Sequence, residues 1–199
     1  MKKQRAEDRR IQMANSNKKC FVLSGPTGAG LSDIVSSLFS CRTGIGTVTP
    51  VTSRKMKEGE QNGVGFFFYD LDGWNGLKEA GDLLECTELA GNDYGTSRKL
   101  IEEQLSKNNV LLNLSVERAS QIKKNMPEAV CVYIEPSSPE ALRRRYEKTA
   151  RNSFELTARM ELAREQREHS AFCDYRIESD DEKAAVMQLS DLIDRLTEE

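Results

Sequence analysis

The sequence predicts an α/β fold of three layers, a parallel sheet with helices on both faces, carrying a small antiparallel subdomain and a charged helical region. Three observations predict it. The runs Cys20-Phe21-Val22-Leu23, Val110-Leu111-Leu112-Asn113-Leu114 and Val130-Cys131-Val132-Tyr133-Ile134 are almost continuously apolar, as strands buried on both faces must be. Helical periodicity separates them, and strands alternating with helices imply parallel pairing through right-handed crossovers. A glycine-rich loop joins the first strand to the first helix, the order of a mononucleotide-binding unit.

After Cys20 to Leu23 comes Ser24-Gly25-Pro26-Thr27-Gly28-Ala29-Gly30-Leu31-Ser32, and then a helix over Asp33 to Phe39, where Ile34, Val35, Leu38 and Phe39 recur at helical spacing. Thr47 to Thr52 reads as β-rich, Glu58-Gly59-Glu60 and Asn62-Gly63 as turns, and Phe66 to Tyr69 as an aromatic strand; together they give the antiparallel subdomain. Helices are expected over Leu71 to Ala80 and Ser97 to Lys107, flanking a short segment Leu83 to Glu88 and a turn at Gly91-Asn92. Beyond the strand at Val110 come a helix over Arg118 to Asn125 and the strand at Val130. A charged helical region then runs from Pro139 to Glu168, broken near Arg151-Asn152-Ser153, where Ser153 would cap the second helix. Tyr175 to Ile177 and a helix over Glu182 to Leu196 close the domain.

With 199 residues the chain is of a size for one domain and one site. The expected organisation is a charged, flexible leader at 1–18 and one domain at 19–199. Its core covers 19–46 and 108–199, with a smaller subdomain about 47–98 and a helical segment about 139–158. Lys and Arg total 29 against 32 Asp and Glu, net charge −3, with the signs interspersed, so neither nucleic acid nor a membrane surface is an expected partner. No run approaches the roughly 20 apolar residues of a membrane span, and no signal peptide is legible. The five cysteines are odd in number and far apart, which reads as reduced thiols of a cytoplasmic protein. The one histidine, His169, falls in a charged helix and reads as solvated surface.

A P-loop follows G-x-x-x-x-G-K-[ST]: glycines let backbone N–H groups approach phosphates, a lysine spans the outer phosphates and a hydroxyl reaches magnesium. Gly25, Gly28, Gly30 and Ser32 fit a nucleotide-binding loop, with Ser32 as the candidate metal contact, but Leu31 stands where the lysine belongs.

The stretch Thr52-Ser53-Arg54-Lys55-Met56-Lys57-Glu58-Gly59-Glu60, then Asn62-Gly63 and an aromatic strand, resembles the T-T-R-K-P-R-x-G-E-x-N-G pattern of the guanylate kinase family. Leu84-Glu85 and Gly91-Asn92-Asp93-Tyr94-Gly95-Thr96 are similar to that family's F-L-E and G-N-x-Y-G-T segments, and the likeness spans about Cys20 to Leu196. It implies that Arg54, Lys57 and Tyr94 hold the phosphate of GMP and that Glu85 and Thr96 read the guanine edge. A carboxylate can accept from the ring N–H and the exocyclic amine, and a hydroxyl can serve the carbonyl. The resemblance also makes 47–98 a substrate-type subdomain and 139–158 a helical lid, and Arg145 and Arg159 match the arginines with which the family clamps the transferring phosphates. For Arg143-Arg144-Arg145 a solvated helix face is the competing reading.

The chain departs from the family where the acids should be. L-D-x-D reads Leu112-Asn113-Leu114-Ser115, a phosphate-site serine is Pro50, and a tyrosine of the aromatic strand is Phe66. Pro50, Ser115 and the altered loop are also features of the guanylate-kinase-like domains of membrane-associated scaffold proteins. The expectation is a catalytically impaired nucleotide- or phosphate-binding or protein-interaction module, a pseudokinase; the alternative is an active guanylate kinase, ATP and GMP giving ADP and GDP. Magnesium and ATP are expected if it is active, and otherwise no cofactor. The expected ligand is GMP or another phosphate-bearing molecule, or a phosphoprotein.

Overall fold

Alternation along the first strand sets up the layers. In β1 (Cys20–Ser24) every side chain is buried, Phe21 and Leu23 toward one apolar cluster, Cys20 and Val22 toward another. The computed structural model describes residues 17–197, so almost all of the expected leader lies outside the described residues.

The main sheet contains β2 (Ile45–Gly46), β7 (Asn109–Asn113), β8 (Val130–Glu135) and β9 (Tyr175–Glu178) beside β1, in the order β2-β7-β1-β8-β9, with every neighbouring pair parallel. Helices α1 (Leu31–Cys41) and α7 (Glu182–Thr197) cover one face through Ile34, Leu38, Ala185, Leu189 and Ile193. Helices α3 (Arg98–Leu105) and α4 (Val116–Asn125) cover the other through Ile101, Leu105, Ala119 and Ile122. Each large aliphatic side chain so buried contributes about 1.5–3 kcal/mol, which is why the apolar runs and not the turns decide the layering. The three-layer α/β expectation is met.

The smaller sheet has the order β4-β3-β6-β5, from β3 (Val51–Thr52), β4 (Phe67–Phe68), β5 (Leu83–Leu89) and β6 (Asn92–Ser97), with α2 (Leu71–Glu79) between β4 and β5. It was expected to be antiparallel and is mixed: β3 pairs antiparallel with β6 but parallel with β4. The cause is the connection, since residues 53–66 carry the chain back to the start of β3 before β4 begins. Thr47 to Pro50 is not strand; the two-residue β2 just before it joins the main sheet instead.

The β5–β6 hairpin turns on two residues, Ala90 at φ 51° and Gly91 at φ 73°, between the paired Leu89 and Asn92. A two-residue loop with both φ positive matches the twist of the strands it joins, so the turn sits one residue earlier than expected. The charged region divides into α5 (Pro139–Glu147) and α6 (Ser153–His169). Asn152, not Ser153, caps the second, its Oδ1 accepting from the N–H of Glu155 at 2.9 Å.

Candidate functional site

Both candidate clefts open at the carboxyl end of β7, beside the central strand β1, where β7 and β8 diverge to either side of it. In open parallel sheets this is where ligands bind.

The loop 25–32 owes its shape to two glycines. A Cβ on Gly25 would lie 2.1 Å from the carbonyl oxygen of Ile134, so only glycine lets the chain leave β1 against β8. Gly28 has φ +83°, and a Cβ there would meet the Tyr146 ring at 2.8 Å. Gly30 occupies the N-cap of α1 and offers no side-chain acceptor. By contrast Asp70, Ser97, Ser115, Ser138, Asn152 and Asp181 each accept a backbone N–H in the first turn of the other described α-helices. An uncapped helix start beneath a glycine loop is suited to an anion. The cleft above it, about 480 Å³, is lined by Gly25, Gly28, Gly30, Leu31, Ser32 and Asp33, with Asn113, Ser115 and Arg118 across from them. Leu31 packs against the main core, and Arg118 is the one cation among the described lining residues.

Among the described residues, then, no lysine lines the loop cleft. The oxygen donors of Ser32, Asp33, Asn113 and Ser115 share this cleft. Hard oxygens with a single carboxylate suit a magnesium ion that keeps its waters and arrives on a nucleotide's phosphates, not one held by a protein cage. Among the described residues no group of three metal-ligating side chains occurs.

A second cleft, about 560 Å³, lies between β7 and the small sheet and is lined by Pro50, Phe66, Thr87, Tyr94, Thr96, Asn113 and Arg118 among others. Asn113, Leu114 and Arg118 border both clefts, so the two meet. Around the second cleft the predicted residues form two groups.

The first group is Arg54 with Tyr94. Ser53 Oγ accepts from the N–H of Asp93 at 2.9 Å and the Ser53 N–H donates to the Asp93 carbonyl at 3.0 Å, which holds Arg54, just past the end of β3, beside Tyr94 of β6. The Arg54 guanidinium lies 5.7 Å from the Phe66 ring and 5.1 Å from Phe68, and donates two hydrogen bonds to Glu60, at 2.7 and 3.0 Å. That fork, with the Lys57 N–H at 2.6 Å, holds the Glu60 carboxyl down to about 2. Burial of the carboxylate opposes this less strongly. Glu60 in turn raises Arg54 further, Tyr94 adding to the effect. The Lys57 side chain is exposed beside them.

The second group is Glu85 with Thr96. A β-bulge between Leu83 and Glu85 lets Leu84 and Glu85, adjacent in sequence, both be buried. Glu85 then stands directly across from Thr96, whose hydroxyl donates to Oε1 at 2.6 Å. The charge of Glu85 is met by a residue that the sequence did not single out. Arg118, in the first turn of α4, donates from Nε to Oε2 at 2.7 Å and from Nη2 to Oε1 at 2.6 Å. The same face of α4 ties down β5 through Gln121 to the N–H of Cys86 and Asn125 to the carbonyl of Leu84.

The two arginines expected to clamp phosphates are engaged with protein. Arg145 donates to the Gly28 carbonyl at 3.1 Å and to the Ser179 carbonyl at 2.6 Å, bracing the loop from behind. Arg159 donates to Thr149 Oγ1 at 3.1 Å and to Glu155 at 2.5 Å. Neither borders the two clefts.

Comparison with known proteins assigns the family. The family model described as guanylate kinase matches residues 17–196. The chain belongs to the guanylate kinase family. It is 37% identical over 177 residues to a protein named guanylate kinase from Photobacterium profundum, covering 87% of this chain and 85% of the relative. It is 36% identical over 185 residues to the guanylate kinase of Vibrio parahaemolyticus, covering 90% and 89%. The crystal structure of guanylate kinase from Anaplasma phagocytophilum superposes with a TM-score of 0.63 at 26% identity, covering 92% of this chain and 87% of that one. Such relatives favour the active-enzyme expectation over the impaired-module one, and nothing in them supports a phosphoprotein partner. No described helix is long and apolar enough to cross a membrane.

Proposed function

We propose that this chain is a guanylate kinase of lowered turnover, passing a phosphoryl group from ATP to GMP. The observation that carries the reading is the meeting of the two clefts at Asn113, Leu114 and Arg118: an anion-type loop on one side, and on the other a cleft lined by Tyr94 and Thr96, with Arg54 beside it against Phe66 and Glu85 buried behind Thr96. Phosphoryl transfer needs little covalent chemistry from a protein. Placing donor and acceptor in line and neutralising charge supply most of the rate.

Each predicted residue then has a task. Gly25, Gly28, Gly30 and the start of α1 take the donor phosphates, and Ser32 with Asp33 the magnesium that accompanies them, which would supply charge neutralisation between donor and acceptor. Arg54, with Tyr94 and Lys57, holds the GMP phosphate; Glu85 and Thr96 choose guanine. Arg145 holds the loop in shape, and Arg159 waits on the lid helix pair, free to exchange Glu155 for phosphate oxygens. Lowered turnover follows from Leu31: losing one preorganised donor to the transition state costs on the order of 10² to 10³ in rate.

A second reading, binding without transfer, is favoured by one observation: Leu31, Asn113 and Ser115 leave the loop cleft without a lysine and with Asp33 as its one carboxylate among the described residues. Steady-state GDP formation from GMP and magnesium ATP, at high enzyme concentration, separates the two. Turnover abolished by Arg54→Ala supports the kinase, and wild-type protein no faster than that variant supports binding alone.

A further inference from the structure

The Glu85 carboxylate is wholly buried, and three donors already hold it: the Thr96 hydroxyl and two parallel N–H groups of Arg118. The pair of donors that Arg118 presents, one N–H on each of two nitrogens sharing a carbon, is the pair that guanine presents through its ring N–H and exocyclic amine. A carboxylate offers about four acceptor sites, and those aligned for a fork are taken. Guanine and Arg118 therefore compete for the same two oxygens.

Arg118 is also placed to leave. Its side chain keeps 25% of its exposure and borders both clefts, unlike Glu85, which has none. The loop cleft beyond it holds the carboxylate of Asp33 and, among the described residues, no cation besides Arg118 itself, so a displaced guanidinium has a space of favourable charge to enter. Ser115 and Ile122 fix the helix below, so the movement is one of side-chain rotamers alone.

We infer that Arg118 is a specificity-determining gate, an internal stand-in for the guanine edge that GMP must displace from Glu85 before its base is read. The inference rests on the reading that Glu85 and Thr96 recognise guanine. Because the guanidinium brings a full positive charge to the carboxylate and guanine brings none, the resident arginine lowers the affinity for GMP and leaves that for the sugar phosphate unchanged.

The test is titration of GMP and of ribose 5-phosphate into wild type, Arg118→Ala, Arg118→Lys and Glu85→Gln. The gate predicts at least tenfold tighter GMP binding for Arg118→Ala, a smaller gain for Arg118→Lys, whose single ammonium cannot form the fork, and no change for ribose 5-phosphate. It also predicts that GMP raises the melting temperature of Arg118→Ala more than that of wild type. Should Arg118→Ala fail to fold with Glu85 unpaired, Arg118→Lys carries the comparison. Unchanged or weaker GMP binding in the Arg118 variants, with Glu85→Gln still weakening it, would leave Arg118 a structural partner and overturn the gate alone. GMP affinity indifferent to Glu85→Gln would overturn the guanine-reading site itself, and the gate with it.

Discussion

Tyr146 donates its phenolic hydrogen bond to the carbonyl of Thr27, so helix α5 supports the glycine-rich loop from beneath. The same ring fills the space that a side chain at Gly28 would need, and Arg159 lies 5.7 Å from its centroid. The glycine-rich loop and helices α5 and α6 are thus one mechanical unit: what moves α5 moves the loop.

Tyr146→Phe keeps the ring and removes the bond. Its expected cost is about 0.5–1.5 kcal/mol in urea unfolding, the usual net worth of a buried hydrogen bond, together with weaker ATP binding. A variant as stable as wild type whose ATP affinity is also unchanged would uncouple α5 from the loop.

Gly25→Ala places a methyl 2.1 Å from the Ile134 carbonyl oxygen, an overlap that backbone atoms must relieve by separating β1 from β8. Overpacking of this kind costs about 1–3 kcal/mol or more. Stability within about 0.5 kcal/mol of wild type, near the ordinary scatter of surface substitutions, would show that the loop entrance is looser than drawn.

Much of this architecture was legible because parallel strands buried on both faces leave continuous apolar runs, as at Val130 to Ile134. β2 was not, since two residues carry no periodicity. The direction of β4 was hidden too, because pairing direction depends on how residues 53–66 are routed. Of the candidate site, the loop was legible as a glycine pattern between a strand and a helix, and Arg54 and Glu85 were singled out by the resemblance to the guanylate kinase family. Arg118 could not. The one signal was physical: a glutamate beside Leu84 in a buried strand requires a partner, and an arginine one turn past the end of β7 is placed to supply it.

The Glu60 carboxyl, held at about 2 by Arg54 and the Lys57 N–H against an ordinary 4.5, gives the turn at 53–60 a pH dependence. Because the folded-state value is depressed, the contribution is fully present above pH 4.5 and is lost as pH falls through about 2. A carbon-detected titration of Glu60 should show a midpoint near 2, moving up toward 4.5 in Arg54→Ala. A wild-type midpoint at 4.5 would mean that the fork does not form in solution.

Leu31→Lys restores a charge but not the acids replaced by Asn113 and Ser115, and it withdraws an apolar side chain from the edge of the core. The expected outcome is less than about a tenfold gain in kcat, with a lower unfolding midpoint, because transition-state groups that act as a unit do not add singly. A larger gain would show that the lysine alone limits the rate.

The measurement that bears most directly on the account is GDP formation from GMP and magnesium ATP by wild type and by Arg54→Ala. Slow wild-type turnover that disappears in the variant is the predicted result. A wild-type rate indistinguishable from the variant's, at saturating nucleotide, would contradict the kinase reading and leave a protein that binds without transferring.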